Sequence, residues 1–361
     1  MKVLVTGSSG HLGEALVRTL QLTGHVAVGL DRIASPYTTY VGSIADRQFV
    51  RGCVQDTQAI IHAATLHKPH LATHTRQDFV DTNVSGTLNL LEEAVAAGAS
   101  AFVFTSTTSI FGRAMIPIAD APAVWVTEDV RPVPKNIYGV TKTAAEDLCE
   151  LFHRLHGLPC LVLRTSRFFP EADDDPIIRR DYEDGNVKAN EYLYRRVDLQ
   201  DVVDAQLLAL EKAPLIGFAR YLISATTPFE PEDLPELRVN APQVVRRRVP
   251  EFEEPYARRG WRMFPTIDRV YVNARARRDL GWRPTYDFRK VIQSLCAGED
   301  PRSPLSYFSI CALCRSNCSS GTCSRAHSRD NLCAALKTSF NSLLRSSNGR
   351  AASSPSNARN R

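Results

Sequence analysis

Tyr138-Gly139-Val140-Thr141-Lys142 puts a phenol and an ammonium four residues apart, on one face of any helix that contains them. Such a pair can take a proton from an alcohol and give it back. A free phenol has a pKa near about 10 and is a poor base at neutral pH, so a neighbouring positive charge is needed to favour the phenolate. A third group, a hydroxyl at a nearby strand end, has to hold the reacting oxygen. Phe104-Thr105-Ser106-Thr107-Thr108-Ser109-Ile110-Phe111-Gly112 offers a row of candidates, and spacing leaves Ser106, Thr107 and Thr108 open.

A second constellation says what the pair works beside. Val3-Leu4-Val5-Thr6 breaks into Gly7-Ser8-Ser9-Gly10-His11-Leu12-Gly13 and then into the helical pattern Glu14 to Leu20. This is the strand–turn–helix that cradles a dinucleotide pyrophosphate. Gly7 permits the tight turn, Gly10 the close approach of backbone to phosphate, and Gly13 the packing of helix on strand. Asp31 ends the next apolar run, Val26 to Leu30, where a carboxylate accepts the ribose hydroxyls and repels a 2′-phosphate. NAD is therefore expected over NADP, with Arg32 softening the preference. A bound nicotinamide would add its positive charge to that of Lys142 in acidifying Tyr138, and Lys142 would also bind the nicotinamide ribose.

These groups require an alternating scaffold. Further strands are expected at Ala59 to Ala64, Ala101 to Ser106 and Cys160 to Arg164. Long helices are expected at Phe79 to Ala97, ended by Gly98, and at Tyr138 to His156, stopped by Gly157. Strands separated by helices of this length imply right-handed βαβ units and a doubly wound parallel sheet of Rossmann type. From Phe168 the pattern turns irregular and proline-rich, with a short helix expected from Val202 to Lys212 and closed by Pro214. The expected organisation is a nucleotide-binding domain at 1–167, a smaller substrate lobe at 168–298 interleaved with it, and a tail at 299–361.

Composition narrows the function classes. The 361 residues are 43% hydrophobic and 23% charged, ordinary for a soluble globular chain. The net charge of +5 sits at the end of the chain: from Pro301 onward nine Lys/Arg face the single acid Asp330, so the body up to Asp300 is mildly acidic. Nothing in it argues for nucleic acid. No apolar run approaches the roughly 20 residues of a membrane helix. Cys53, Cys149, Cys160 and Cys296 show no paired spacing and read as buried free thiols of a cytoplasmic protein. The Ser- and Arg-rich tail cannot bury enough surface to offset its ordering entropy and is expected to be disordered. Cys311 and Cys314 with His327 fall short of a zinc site. His67, Lys68, His70 and His74 read as a polar loop facing the cleft rather than a metal cluster.

Taken together the motifs resemble the extended short-chain dehydrogenase/reductases of the NAD-dependent epimerase/dehydratase family, the family of UDP-glucose 4-epimerase. The resemblance runs over about residues 1 to 295. It rests on Thr6 to Gly13, Asp31, His62-Ala63-Ala64, Asn83 in Asp81 to Thr87, the hydroxyl row, the Tyr138/Lys142 pair and Leu280-Gly281-Trp282-Arg283-Pro284. It implies Thr107 as the catalytic hydroxyl, Ala63, Ala64, Asn83 and Lys142 as cofactor contacts beside Gly7, Ser9, Gly10, His11, Leu12, Gly13, Asp31 and Arg32, and a homodimer paired through the two long helices. Departures lie on the substrate side. Arg167 stands near the place of an Asn that many nucleotide-sugar epimerases use on substrate phosphates, and Gly42-Ser43-Ile44 replaces an Asp near the adenine. Thr107, Thr108, Arg167, Arg195 and Arg196 are the expected substrate contacts. The implied activity is epimerisation or dehydration of a sugar, expected to be a nucleotide sugar, by transient hydride transfer. A net sugar or uronate dehydrogenase and a non-catalytic NAD-sensing interaction protein are the alternatives.

Overall fold

The computed structural model describes residues 1–306. The cysteine cluster from Cys311, His327 and nearly all of the expected tail lie outside the described residues. Seven parallel strands form the central sheet: β1 (Lys2–Thr6), β2 (Val26–Asp31), β3 (Tyr40–Val41), β4 (Ala59–His62), β5 (Ala101–Thr107), β7 (Cys160–Thr165) and β8 (Phe218–Ile223). Their order is β3-β2-β1-β4-β5-β7-β8. Chain direction across the sheet reverses between β1 and β4, and that switch point opens the crevice where ligands of such sheets bind. A separate two-stranded parallel pair joins β6 (Val124–Val126) to β9 (Arg269–Tyr271).

Helices cover both faces, as a buried parallel sheet requires. The flanking helices are α1 (His11–Leu22), α2 (Arg47–Val54), α3 (Arg76–Val80), α4 (Gly86–Ala96) and α5 (Ile137–His156). After β7 come α6 (Pro176–Asp181), α7 (Asp184–Glu191) and α8 (Leu199–Ile216). One face packs Leu16 and Leu20 of α1 with Val202, Ala209 and Ala213 of α8 against Val3, Val5, Ile61 and Val103. The other packs Val50, Leu90, Leu91, Ala145 and Phe152 against Leu4, Ile60, Phe102 and Phe104. A third core, built from Ala123 and from residues between Val187 and Leu295, belongs to the lobe above the strand ends.

Four expectations change. The helix from Phe79 is not regular: it runs on to Ala96, but residues Asp81–Ser85 form a π-turn between α3 and α4, a distortion that recurs at functional sites. The helix expected to close at Pro214 runs on to Ile216, because a proline in the last turn forfeits only one interior hydrogen bond. Cys296 is exposed, whereas Cys53, Cys149 and Cys160 are buried. Order also continues past 299. The Ser303 N–H and Ser306 hydroxyl donate to Asp198 Oδ2 at 3.2 and 3.0 Å, and Leu305 is fully buried beside Leu280 and Trp282. Trp282 of the Leu280–Pro284 motif donates its indole N–H to the Asp201 carbonyl at 3.0 Å. Asp201 in turn accepts the Thr285 and Tyr286 N–H groups at 2.8 and 2.9 Å, which fastens the C-terminal segment to the start of α8.

Candidate active site

A cleft of about 1080 Å³ runs along the C-terminal strand ends. Its floor is the glycine turn. Gly7 has φ +75°, and a Cβ there would meet the Ala64 nitrogen at 2.8 Å, so the turn lies directly on the Ala63-Ala64 segment. A Cβ on Gly13 would lie 1.9 Å from the Gly7 carbonyl oxygen. Gly10 precedes α1 without a side-chain cap, so the first N–H groups of a 12-residue helix face the cleft at its positive dipole end. Ser9, His11 and Leu12 line the same wall, and burial pushes the His11 imidazole down to about 4, which keeps it neutral at physiological pH.

The Ala63-Ala64 wall is set from behind. His62 bridges Thr6 Oγ1 at 2.7 Å and Thr87 Oγ1 at 3.0 Å, and Thr6 Oγ1 accepts the Ala64 N–H at 3.1 Å. Burial holds His62 well below the usual histidine range, so it serves as a neutral strut. Asn83, in the π-turn, lies outside the cleft lining and is only 2% exposed. Its Oδ1 accepts the Thr65 hydroxyl and Leu66 N–H at 3.0 and 2.8 Å, and its amide donates to the Leu66 carbonyl and Thr141 Oγ1 at 2.9 and 3.1 Å. It therefore locks the cleft wall to α5, and it has no donor left to offer a cofactor.

Asp31 sits at the end of β2 on the cleft edge beside Arg32, with Gly42, Ser43 and Ile44 opposite. Its Oδ2 accepts the Ser9 N–H at 3.0 Å and its Oδ1 the Ile33 N–H at 3.0 Å. The carboxylate is thus aimed across the glycine turn, with lone pairs left for two hydroxyls. Changing Asp31 to Ser should weaken NAD binding at least tenfold, by loss of charge-assisted bonds, and should narrow the NAD-over-NADP preference. Titrating both cofactors by fluorescence checks this, because damage to the turn alone would weaken the two equally.

At the other end stand the candidate proton-transfer groups. Asn136 caps α5 by accepting the Gly139 N–H at 3.0 Å, which fixes the first turn that carries Tyr138. Tyr138 is 7% exposed, packs with Leu66 and Phe79, and lines the cleft with Thr105 to Ser109. Of the three hydroxyls left open by spacing, Thr107 is the one placed to favour the Tyr138 phenolate. Ser106 has opposite parity on the strand and donates to Glu146 at 2.5 Å; Thr108 lines the cleft beside Thr107. The expected acidification of Tyr138 by Lys142 is not what dominates here. Burial pushes the phenol up to about 12, offset in part by the nearby Thr107 hydroxyl, and pushes Lys142 down to about 7. The Lys142 Nζ donates to the Thr105 carbonyl at 2.7 Å and lies 3.8 Å over the Phe104 ring.

The arginines divide. Arg195 and Arg167 line the cleft, and both hold Asp173 Oδ2, at 2.7 and 3.5 Å. Arg196 does not join them. Arg195 and Arg196 both pair with Glu191, at 2.8 and 2.7 Å, but only Arg195 reaches the cleft. Arg196 is 6% exposed and donates to Glu191 at 2.7 Å and to the Phe169 carbonyl at 2.6 Å. Arg269 and Tyr271 of β9, Lys135 and Met115 line the cleft and were missed. A three-residue strand some 130 residues from Tyr138 carries no periodicity to reveal it.

A strap closes over the cleft. Phe168 stacks on His11 with centroids 6.1 Å apart and planes at 11°, and Phe169 stacks on His67 at 5.4 Å and 12°. Asp174 pairs with Lys68 at 2.5 Å. His67, Lys68, His70 and His74 all face the cleft, as expected, and among the described residues no group of His, Cys, Asp and Glu is arranged to hold a metal. No helix among the described residues is long and apolar enough to cross a membrane.

The comparisons agree with this geometry. The chain is 27% identical over 334 residues to UDP-glucose 4-epimerase of Rhizobium meliloti (strain 1021), covering 81% of this chain and 95% of that one. It is 28% identical over 331 residues to 3-beta-hydroxysteroid dehydrogenase of Mycolicibacterium neoaurum, covering 79% and 87%. A crystal structure of a short-chain dehydrogenase/reductase superfamily protein from Agrobacterium tumefaciens with bound NAD has the same fold, with a TM-score of 0.57 at 24% identity over 88% of this chain and 99% of that one. The model of the NAD dependent epimerase/dehydratase family matches residues 3–216, more than half of the sequence, and the protein belongs to that family.

Proposed function

We propose that the protein is a nucleotide-sugar epimerase that oxidises and re-reduces its substrate without releasing NAD. The observation that carries the reading is the meeting of Tyr138 and Thr107 in the cleft that begins at the uncapped glycine turn. NAD, when bound, supplies the hydride acceptor and the positive charge that acidifies Tyr138. Thr107 holds the substrate hydroxyl. Tyr138 takes its proton and later returns it. Lys142, fixed to the Thr105 carbonyl, orients the cofactor ribose and stabilises the phenolate. Arg269 and Lys135 supply positive charge for the substrate's phosphates, and Arg195 and Arg167 join them when Asp173 yields. The cofactor layer takes 1–167 together with α8 and β8, and the lobe takes the rest of 168–298. Two copies pair through α4 and α5, where Val140 and Leu155 are exposed, and light scattering gives a dimer mass. The free thiols fit a cytoplasmic setting.

The likeness to a 3-beta-hydroxysteroid dehydrogenase favours a second reading, net dehydrogenation by the same residues. The strap separates the two, since an epimerase must keep its cofactor between half-reactions and a dehydrogenase must let it go. The Phe169→Ala/Asp174→Ala double variant loses the ring stacks on His67 and Phe168 and the ion pairs of Asp174 with Lys68 and Arg167, together worth about 1–3 kcal/mol. NADH should then leave about tenfold faster, read by the decay of its fluorescence on dilution. An unchanged rate would take the strap out of cofactor retention and leave dehydrogenation the better reading.

A further inference from the structure

One buried carboxylate close to the site has no role in the chemistry above. Glu146 lies one helical turn beyond Lys142 and two beyond Tyr138 on α5, and is 1% exposed. Its Oε1 accepts the Ser106 hydroxyl at 2.5 Å, and Ser106 directly precedes Thr107 at the end of β5. Arg164 of β7 donates to it through Nη2 at 2.8 Å and Nε at 3.1 Å. Arg220 of β8 adds an Nε contact at 3.3 Å. One carboxylate therefore serves two guanidiniums and a hydroxyl, with the Lys142 ammonium on the next turn. A buried pair made only for stability needs no such convergence, because apolar residues of the same volume would serve as well.

We propose that Glu146 is a positioning residue for the acid–base pair: it pins the strand end carrying Thr107 to the helix carrying Tyr138 and Lys142, and its buried negative charge holds Lys142 as an ammonium. The inference rests on the catalytic reading of Tyr138 and Lys142. Other groups around Lys142 do not supply that charge. Tyr138 and Cys149 on its own helix are neutral, because burial pushes both thiol and phenol up. His62 on β4 is neutral too, and β5 offers the Thr105 carbonyl and the Phe104 ring. Asp147 and Glu150 sit at the outer end of the network, on Arg220. Burial pulls Lys142 down to about 7, and Glu146 is the first group opposing that pull. The ammonium is present below its midpoint and lost as pH rises through it. Losing Glu146 therefore moves that loss to lower pH.

The test is an NMR titration of 13C-lysine-labelled full-length protein with NAD bound, the Lys142 signal assigned by its absence in Lys142→Met. Glu146→Gln should lower the Lys142 midpoint by about one pH unit or more. Glu146→Asp, which keeps the charge, should hold it within a few tenths of a unit. Arg220→Gln removes a competing cation at the half-buried edge of the network, so it should raise the midpoint and strengthen the pull of Glu146 on Lys142. An unmoved midpoint in Glu146→Gln, or the same direction of shift in Glu146→Gln and Arg220→Gln, overturns the proposal. If Glu146→Gln does not fold, Arg220→Gln decides alone: a rise supports the proposal, and no change or a fall overturns it. The readout needs no turnover, so its failure leaves the catalytic reading of Tyr138 to be judged on Tyr138→Phe.

Discussion

Tyr138→Phe is expected to lower turnover by about three to four orders of magnitude while NAD affinity stays within about twofold. The substitution removes one oxygen. The ring keeps its packing with Leu66 and Phe79, so the fold and the cofactor wall have no reason to move. On the proposed mechanism, what is lost is the proton carrier beside Thr107. Steady-state rates and cofactor titration on the same preparation check both halves. Turnover near that of the parent protein would take Tyr138 out of the mechanism. Equal losses of turnover and NAD affinity would make it a packing residue.

The second large effect belongs to the glycine turn. Gly13→Ala puts a methyl 1.9 Å from the Gly7 carbonyl carbon's oxygen and 2.8 Å from the Ser8 Cα. These are backbone atoms, and Gly7 is itself pressed on Ala64, so neither side can give way without opening the phosphate cradle. The expected outcome is loss of measurable NAD binding together with about 3 kcal/mol or more of stability, read by calorimetry and thermal unfolding. Gly24→Ala is the contrast. No atom lies within 4 Å of a Cβ there, so strain at φ +81° is its cost and NAD affinity should be kept.

Both predictions concern residues that were legible in the sequence because their physics is local. A turn that needs φ above zero, a helix that must touch a strand, and a pair spaced by one helical turn are all written within a few positions. The same holds for β1, β2, β4, β5 and β7, whose apolar runs are short and bounded by Gly or polar residues. Residues set by distant partners were not legible. Asn83 is a cofactor contact only by the family resemblance, and nothing in its own neighbourhood of sequence shows that it bonds inward to Leu66 and Thr141. Arg195 and Arg196 read as a pair on the substrate; in the fold both pair with Glu191, Arg196 is buried against the Phe169 carbonyl, and Arg195 alone lines the cleft. Arg269 arrives through a strand of three residues. The lowering of the Tyr138 pKa inferred from the Lys142 spacing gave way to burial, a quantity that spacing does not contain.

Retention of hydride inside one cleft is the central claim, and isotope transfer tests it most directly. A panel of UDP-hexoses and UDP-uronates, deuterated at the oxidised carbon, is incubated with the purified protein in excess unlabelled NAD. The account predicts that one member is converted to its epimer with the deuterium kept and with no NADH in the bulk solution. NADH released in step with substrate consumed, carrying the label away, would contradict it.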